Sequence, residues 1–288
     1  MRHGVFLTMD SLEGYVSDDE LTYEPLAQLG WQVHNISWHT SDTDWSKYDA
    51  VIIRTPWDYQ KAPHDFLRTL EAIEAAGTPV ANQLPLVRWN IDKKYLRDLE
   101  EQGILIVPTQ WADQFQRDAI ENWWQAWNVP ELIVKPTISA NADDTFWLSS
   151  KTPLKVWEQM EKIFCERPHM VQPFLPAILE EGEYSLFFFG GNYSHAIVKK
   201  PKSGDFRVQE EHGGLIRSTQ PSTSLLRTAQ QVYEAIQPEP LYARIDLVCL
   251  SKGEFALMEV ELIEPSLYFR TDAQSPVHFA QAIDAYFR

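Results

Sequence analysis

Three acidic residues are spaced to act together. Asp246 lies in the run Arg244-Ile-Asp-Leu-Val, and Glu259 and Glu261 close a second apolar run over 255–261. Residues two apart on a strand face the same side, so Glu259 and Glu261 point together, and the Lys252-Gly253 turn between the runs brings Asp246 opposite them. Carboxylates that close repel one another without a cation, and hard oxygen ligands shared with nucleotide phosphates suit Mg2+. The same alternation also describes the solvated face of a half-exposed strand, and spacing leaves both readings open.

Lysines supply the complementary charge. Lys135 follows the apolar run 132–134 and precedes Pro136, at a strand end from which a side chain reaches a cleft or the surface. Lys93, or Lys94 beside it, stands at a helix start, where the dipole disfavours a cation unless an anion is near. A phosphate fits that position, and so does a lysine snorkelling into solvent. Other nucleotide signatures are missing: there is no Gly-x-x-x-x-Gly-Lys-Ser/Thr, and no Gly-x-Gly-x-x-Gly follows the first strand. Histidines form no metal-ligand spacing. His212, before Gly213-Gly214, is the only suggestive one.

A chain of 288 residues with 25 Lys+Arg against 41 Asp+Glu carries a formal net charge of −16, which disfavours binding to a phosphate backbone. Nucleic acid is therefore not expected as a partner. Hydrophobic residues at 44% exclude a disordered or low-complexity chain. The apolar runs fall well short of the roughly 20 residues that span a bilayer, so no membrane helix is expected. Only Cys165 and Cys249 are present and no basic-then-apolar leader opens the chain, which points to a reducing, cytoplasmic setting without disulfides.

The elements that must position these residues fall into two styles. Residues 5–9, 31–36, 50–53 and 79–81 read as strands and 21–29 and 63–76 as helices, the second with Pro63 at its start and Gly77 at its end. Alternation of this kind makes a mostly parallel α/β layer, with a boundary near Arg88. A helix over 92–102 and a strand over 104–107 open a second unit, followed by helix 116–126, strand 132–134, helix 153–164 and strand 170–172. From 184 onward the signals are strands joined by short glycine turns, 184–189, 193–199, 242–250 and 254–261. They imply an antiparallel sheet, with helices over 223–236 and 276–287.

In this order the pieces resemble the ATP-grasp superfamily, and within it the glutathione-synthetase-like ATP-binding domains, ring-closing ligases included. The segments that carry the resemblance are Arg54-Thr-Pro-Trp-Asp-Tyr59, Arg88-Trp-Asn-Ile-Asp-Lys-Lys-Tyr-Leu96, Val134-Lys-Pro136 with Ser139-Ala140, Gln172-Pro-Phe-Leu-Pro176, Lys199-Lys-Pro-Lys-Ser-Gly-Asp-Phe-Arg207, and Tyr242-Ala-Arg-Ile-Asp246 with Met258-Glu-Val-Glu261. The likeness covers most of the chain. It implies an α/β, ATP-grasp fold: an N-terminal Rossmann-like substrate domain over 1–88, a central lid subdomain over 89–174 and a C-terminal antiparallel-sheet subdomain over 175–288.

The resemblance also implies roles. Lys93 and Lys135 contact the phosphates of ATP, Ser139 and Ala140 belong to the loop that covers them, Gln172, Pro173, Phe174 and Leu175 receive adenine, and Glu183 lies near the ribose. Asp246, Glu259 and Glu261 hold Mg2+. Lys199 or Lys200 and Arg207 neutralise the transferred phosphate, and Arg244 stabilises developing charge. Two departures stand out: the loop 137–145 contains no glycine, and Glu261 occupies the position where the family carries Asn.

The implied activity is that of an ATP-dependent, ADP-forming ligase joining a small carboxylate to an amine, an intramolecular cyclo-ligase included. Such chemistry needs positioning and charge rather than a protein nucleophile, which agrees with the lack of a Ser-His or Cys-His arrangement. Arg54, Arg88 and Arg270 are candidates to anchor the carboxylate, although an arginine in a surface salt bridge is the commoner case. Trp57, Asp58 and Tyr59 either shape an amino-acid-sized pocket or form a structural aromatic turn. The alternatives are a peptide- or protein-modifying ligase, a regulatory module that only binds ATP, and a plain α/β ligand-binding protein. A homo-oligomer is compatible with the aromatic content.

Overall fold

The computed structural model describes residues 1–140, 142–202 and 204–288. Asn141 of the loop 137–145 and Ser203 of the stretch 199–207 lie outside them. The first unit runs β1 (Arg2–Thr8), α1 (Tyr23–Gln28), β2 (Trp31–Ser37), β3 (Ala50–Thr55), α2 (Pro63–Ala75) and β4 (Val80–Ala81). Its sheet has the order β2-β1-β3-β4 and every pair is parallel. Burial of both faces explains the unbroken apolar run of β3: Val51 and Ile53 pack with Phe66, Leu70 and Ile73 of α2, and Ala50 and Ile52 with Leu26 of α1.

The helix expected over 92–102 is found, shortened, as α4 (Tyr95–Glu101); a helix not expected, α3 (Leu84–Asn90), precedes it, and Lys93 lies in the turn between them. Arg88, the expected boundary, falls inside α3. Residues 104–107 form no strand but run beside Leu257 through an isolated bridge at Ile106, because Val107 N–H and Leu257 N–H are spent on single bonds to Leu257 and Leu105 carbonyls.

A second sheet is built from β5 (Gln110–Ala112), β6 (Glu131–Pro136), β7 (Phe146–Ser149) and β8 (His169–Pro173) in the order β5-β8-β6-β7, all antiparallel. Two helices, α5 (Arg117–Trp127) and α6 (Leu154–Phe164), cover one face, where Ile120, Trp157, Met160 and Phe164 bury Leu132, Val134, Leu148 and Val171. The other face, carrying Ile133 and Lys135, is left for a cleft.

After α7 (Ala177–Glu180), the chain forms β9 (Glu183–Phe189), β10 (Asn192–Lys200) and β11 (Leu215–Ser218), then α8 (Thr223–Ala235), β12 (Tyr242–Ser251), β13 (Glu254–Glu261) and α9 (Ser275–Tyr286). The strands make an antiparallel sheet ordered β11-β10-β9-β12-β13. Helix α8, capped by the Ser222 hydroxyl accepting from Leu225 N–H at 3.2 Å, buries Leu225, Ala229 and Val232 against Leu186, Ile245 and Leu247. Helix α9 returns to the first unit, placing Phe279 and Ile283 beside Phe6 and Ile52.

Beyond Leu257, side chains complete the outer edge of β13. Tyr95 hydroxyl accepts from Val260 N–H at 2.7 Å and donates to Val260 C=O at 3.0 Å, and Asn90 Nδ2 donates to the same carbonyl at 2.8 Å. Asn90 Oδ1 accepts from Leu262 N–H at 3.0 Å. An open edge is thereby satisfied, and α3 and α4 are pinned so that the turn holding Lys93 lies against Glu259. Among the described residues, no helix is long and apolar enough to cross a membrane, and Cys165 and Cys249 are both free.

Candidate active site

The cleft between the second and third sheets is lined from both sides. On the five-stranded sheet the pairings Lys199 with Glu183, Asp246 with Ser185 and Glu259, and Arg244 with Glu261 place all these side chains on one face. A β-bulge between Asp246 and Leu247 then shifts the register, so that Leu247 pairs with Leu257. At the bulge β13 turns Met258, rather than an acid, toward the cleft beside Val107, Ile178 and Val208, while Ala256 and Val248 pack beneath them in the same apolar cluster. One strand thus presents carboxylates at one end of the cleft and an apolar surface at the other.

Charges at the polar end are interlocked. Lys199 Nζ pairs with Glu183 and lies 3.3 Å from Asp246 Oδ2, while Arg244 Nη2 lies 2.9 Å from Asp246 Oδ2 and also pairs with Glu261. Burial alone would raise the Asp246 carboxyl, but Arg244 and Lys199 hold it down to about 2. Burial dominates at Glu261, with Glu259 and Asp246 adding repulsion against the pull of Arg244, and its carboxyl is pushed up to about 7. Lys93 Nζ lies 3.0 Å from Glu259 Oε1 and donates to Ser139 C=O at 2.7 Å. Burial is the largest single influence and opposes its charge, yet Glu259, Glu264 and Glu261 together outweigh burial and raise the ammonium.

Lys135 differs from the other cleft lysines. Burial, more than any neighbouring charge, lowers its ammonium, with Glu259 acting against the shift. Its Nζ makes no hydrogen bond or ion pair among the described residues. An anion entering the cleft would meet this one uncommitted lysine first.

The loop 137–145 is held over the cleft without glycine. Lys93 N–H donates to Thr137 C=O at 2.8 Å, and Arg167 binds Asp144 at 2.6 Å and Ile138 C=O at 3.1 Å. Ala142 and Asp144 take left-handed φ values of 57° and 51°, a conformation usually left to glycine. Ser139, Ala140, Ala142 and Thr145 line the cleft.

Gln172, Pro173, Phe174 and Leu175 join the two sheets along the apolar end. Gln172 Nε2 donates to Thr109 Oγ1 at 2.9 Å, and Trp147 packs on Phe174 with ring centroids 4.8 Å apart. Arg207 also lines the cleft, bound to Asp205 at 2.8 Å.

Several expected site residues lie elsewhere. Lys200 follows Lys199 and therefore points to the opposite face, where its Nζ donates to Glu180 C=O at 2.6 Å. Lys94 pairs with Asp113 at 3.0 Å on the surface. Arg88 pairs with exposed Glu71, and Arg270 pairs with Asp18 at 2.8 Å and with Glu210. Asp58 is engaged by Trp38 Nε1 and His39 Nε2, both at 2.7 Å. Arg54 is 1% exposed, held by Asp19 at 2.9 Å and donating to Pro265 C=O at 3.1 Å. None of these lines the cleft, whereas Trp57 and Tyr59 do.

Other lining residues were assigned no role from the sequence. Glu264, Ser266 and Tyr268 enter from the segment after β13, and Phe206 comes from the stretch before Arg207. Glu264 is legible only as a third acid, three residues past Glu261 and outside the strand alternation. Its carboxyl is pushed up to about 8, chiefly by burial and then by Glu261, against opposing contributions from Tyr59 and Lys93. Among the described residues, no three His, Cys, Asp or Glu side chains stand close enough to hold a metal ion by themselves. Asp246, Glu259 and Glu261 are hard oxygen donors on one face of the cleft, a donor set suited to Mg2+ that shares its other positions with phosphate oxygens.

Comparison with known proteins shows what the whole chain is similar to. The family model described as "D-cycloserine synthetase DcsG, N-terminal domain" matches residues 5–82. The cycloserine biosynthesis protein DcsG of Streptomyces lavendulae is 28% identical over 277 residues, 90% of each chain. The crystal structure of D-cycloserine synthetase DcsG superposes with a TM-score of 0.87 at 25% identity, over 99% of this chain and 100% of that one. The ATP-grasp ligase PsnB, solved with minimal precursor, Mg and ADP, has a TM-score of 0.65 at 14% identity, over 99% and 98% of the two chains, and shares the fold.

Proposed function

The chain is an ATP-grasp protein similar to D-cycloserine synthetase and an enzyme of the ADP-forming ligase class, and we propose that it activates the carboxylate of a small amino-acid-like substrate as an acyl phosphate. ATP lies along the cleft. Adenine meets the apolar end formed by Gln172, Pro173, Phe174, Leu175 and Met258, with Glu183 toward the ribose. The phosphates run toward Lys93, Lys135 and Arg207 under the loop bearing Ser139 and Ala140. Asp246, Glu259 and Glu261 are the residues that would hold Mg2+, which supplies charge neutralisation between phosphate oxygens when bound.

Chemistry then follows from position and charge. A substrate carboxylate oxygen bonds to the γ-phosphorus as the bond to the bridging oxygen breaks, and ADP leaves. A nitrogen nucleophile next bonds to the acyl carbon as the acyl C–O bond breaks, and its proton passes to the departing phosphate. Lys199 and Arg244, fixed by Glu183, Asp246 and Glu261, offset the negative charge that builds up. When the nitrogen belongs to the side chain of the same molecule, as in an O-substituted serine, the product is a ring, which is the version the likeness to D-cycloserine synthetase favours. We place this reaction in the cytoplasm, where ATP is available and free thiols stay reduced.

The observation that carries the reading is the pairing, across one cleft, of an uncommitted lysine on β6 with a row of carboxylates on β12 and β13. It is tested by ADP release from Mg-ATP with pooled amino acids, dipeptides and O-substituted serines, with hydroxylamine added to trap an acyl phosphate. Substrate-dependent ADP together with a hydroxamate is expected. Failure to bind ATP at all overturns the reading.

A further inference from the structure

The stretch between β10 and β11 reaches the cleft and carries Phe206, Arg207, Val208 and Gln209 along its wall. Backbone outside a sheet ladder has to be held in place by other contacts. Arg270 ties the far part of the stretch, pairing with Glu210 and, at 2.8 Å, with Asp18 of the first unit. The chain also folds back so tightly that a Cβ at Gly214 would lie 2.0 Å from Val208 C=O. Phe206 packs against Trp147 of β7, with ring centroids 5.6 Å apart. None of these contacts sets the direction of the Arg207 side chain.

Asp205 does set it. Its Oδ1 accepts from Phe206 N–H at 2.8 Å, from Arg207 N–H at 3.0 Å and from Arg207 Nε at 3.0 Å, and its Oδ2 accepts from Arg207 Nη2 at 2.8 Å. One carboxylate thus fixes the backbone turn and the guanidinium together. Asp205 is 8% exposed, lies off the wall of the cleft that Arg207 lines, and pairs with no cation but Arg207 among the described residues. The hydrogen bonds from Arg207 hold its carboxyl well below the usual aspartate range. A guanidinium is a fixed fork of donors. Asp205 takes the Nε hydrogen and one on Nη2, so Nη1 and the second Nη2 hydrogen, the end of the fork, are left over for an anion in the cleft.

We infer that Asp205 is the positioning residue for Arg207, holding the guanidinium side-on so that its open end faces the terminal phosphate of ATP. This assignment rests on the ligase reading above, in which Arg207 meets the phosphates, and adds the residue that aims it. Asp205 itself touches neither nucleotide nor substrate. It acts by ordering a long, flexible side chain before the nucleotide arrives, which lowers the ordering cost that binding must meet.

The test uses the whole protein with Mg2+ and compares, by calorimetry, its affinity for ADP with that for the β,γ-imido analogue of ATP, which carries the terminal phosphate. Asp205→Asn keeps an oxygen for the two backbone N–H groups but loses the charge and the second acceptor, so the turn survives while the fork is released. The ratio of the two affinities should move toward ADP by about tenfold, the scale of one charge-assisted hydrogen bond, with the melting temperature retained. If that variant melts early, Asp205→Ser, whose hydroxyl still accepts from a backbone N–H, gives the same comparison. Arg207→Met should move the ratio at least as far, and adding Asp205→Asn to Arg207→Met should change it by less than about twofold, because two residues that act as a unit are not additive. An unchanged ratio in Asp205→Asn, an equal loss of both nucleotides, or a second full shift in the double variant overturns the assignment. So does a ratio that survives Arg207→Met, which leaves Asp205 no phosphate contact to aim. Failure of wild type to bind either nucleotide would instead overturn the ligase reading itself.

Discussion

Asp246 and Glu259 stand directly opposite each other on β12 and β13, yet their charges are balanced from separate parts of the chain. Lys199 and Arg244, on strands of the same sheet, hold Asp246. Lys93, in the turn between α3 and α4, holds Glu259 and also the carbonyl of Ser139 in the loop above. A single lysine therefore links the turn between α3 and α4, the covering loop and the acidic row. Any change in the charge at Glu259, by mutation or by a bound cation, is felt at the loop.

Glu259→Gln should remove turnover by about a hundredfold or more, the scale of losing one charged contact in a preorganised site. Its melting temperature should stay within a few degrees of wild type, because Lys93 keeps its bond to Ser139 C=O. Steady-state ADP release beside a thermal melt checks both halves.

Neighbours in sequence should behave oppositely on β10. Lys199→Met strips the cleft of the cation shared by Glu183 and Asp246 and is expected to abolish activity. Lys200→Met loses only a bond to Glu180 C=O near the surface and should retain activity within about twofold, with a stability change within about 0.5 kcal/mol. Similar losses in the two variants would contradict the strand parity.

Stability should fall as pH rises toward 8. Glu261 and Glu264 titrate near 7 and 8 in the folded protein, against an ordinary glutamate value of about 4.3 in the unfolded chain. The folded state keeps protons that the unfolded chain releases, so their contribution is fully present below that value and is lost as pH rises through 7 and 8. Glu264→Gln removes one of these buried charges. Its melting temperature should exceed that of wild type by roughly 2–5 °C at pH 8.5 and match it at pH 4.5. An equal difference at both pH values would rule out titration of Glu264 as the cause.

Arg54→Met leaves Asp19 buried without its cation and frees Pro265 C=O. A loss of about 3–5 kcal/mol is expected from breaking a buried pair on one side, measured by urea unfolding.

Much of the site was legible because strand parity is a local property. Alternation alone put Glu259 and Glu261 on one face and a turn placed Asp246 across from them, and the apolar run before Lys135 marked a strand with that lysine at its end. The resemblance added the order of the pieces. What the chain could not declare locally was which charge meets which. Arg54, Arg88 and Arg270 look alike in sequence, each an arginine at the end of an apolar or aromatic segment. Packing of α9 and Asp19 buries the first, while the other two find acids on the surface, since burial depends on segments more than 200 residues apart, as in the bond from Arg54 to Pro265. The bulge that turns Met258 toward the cleft, the capping of the β13 edge by Asn90 and Tyr95, and the exposure of Glu264 to the cleft were likewise decided by the tertiary structure. Each arises where segments distant in sequence meet, and periodicity within one segment carries no record of that meeting.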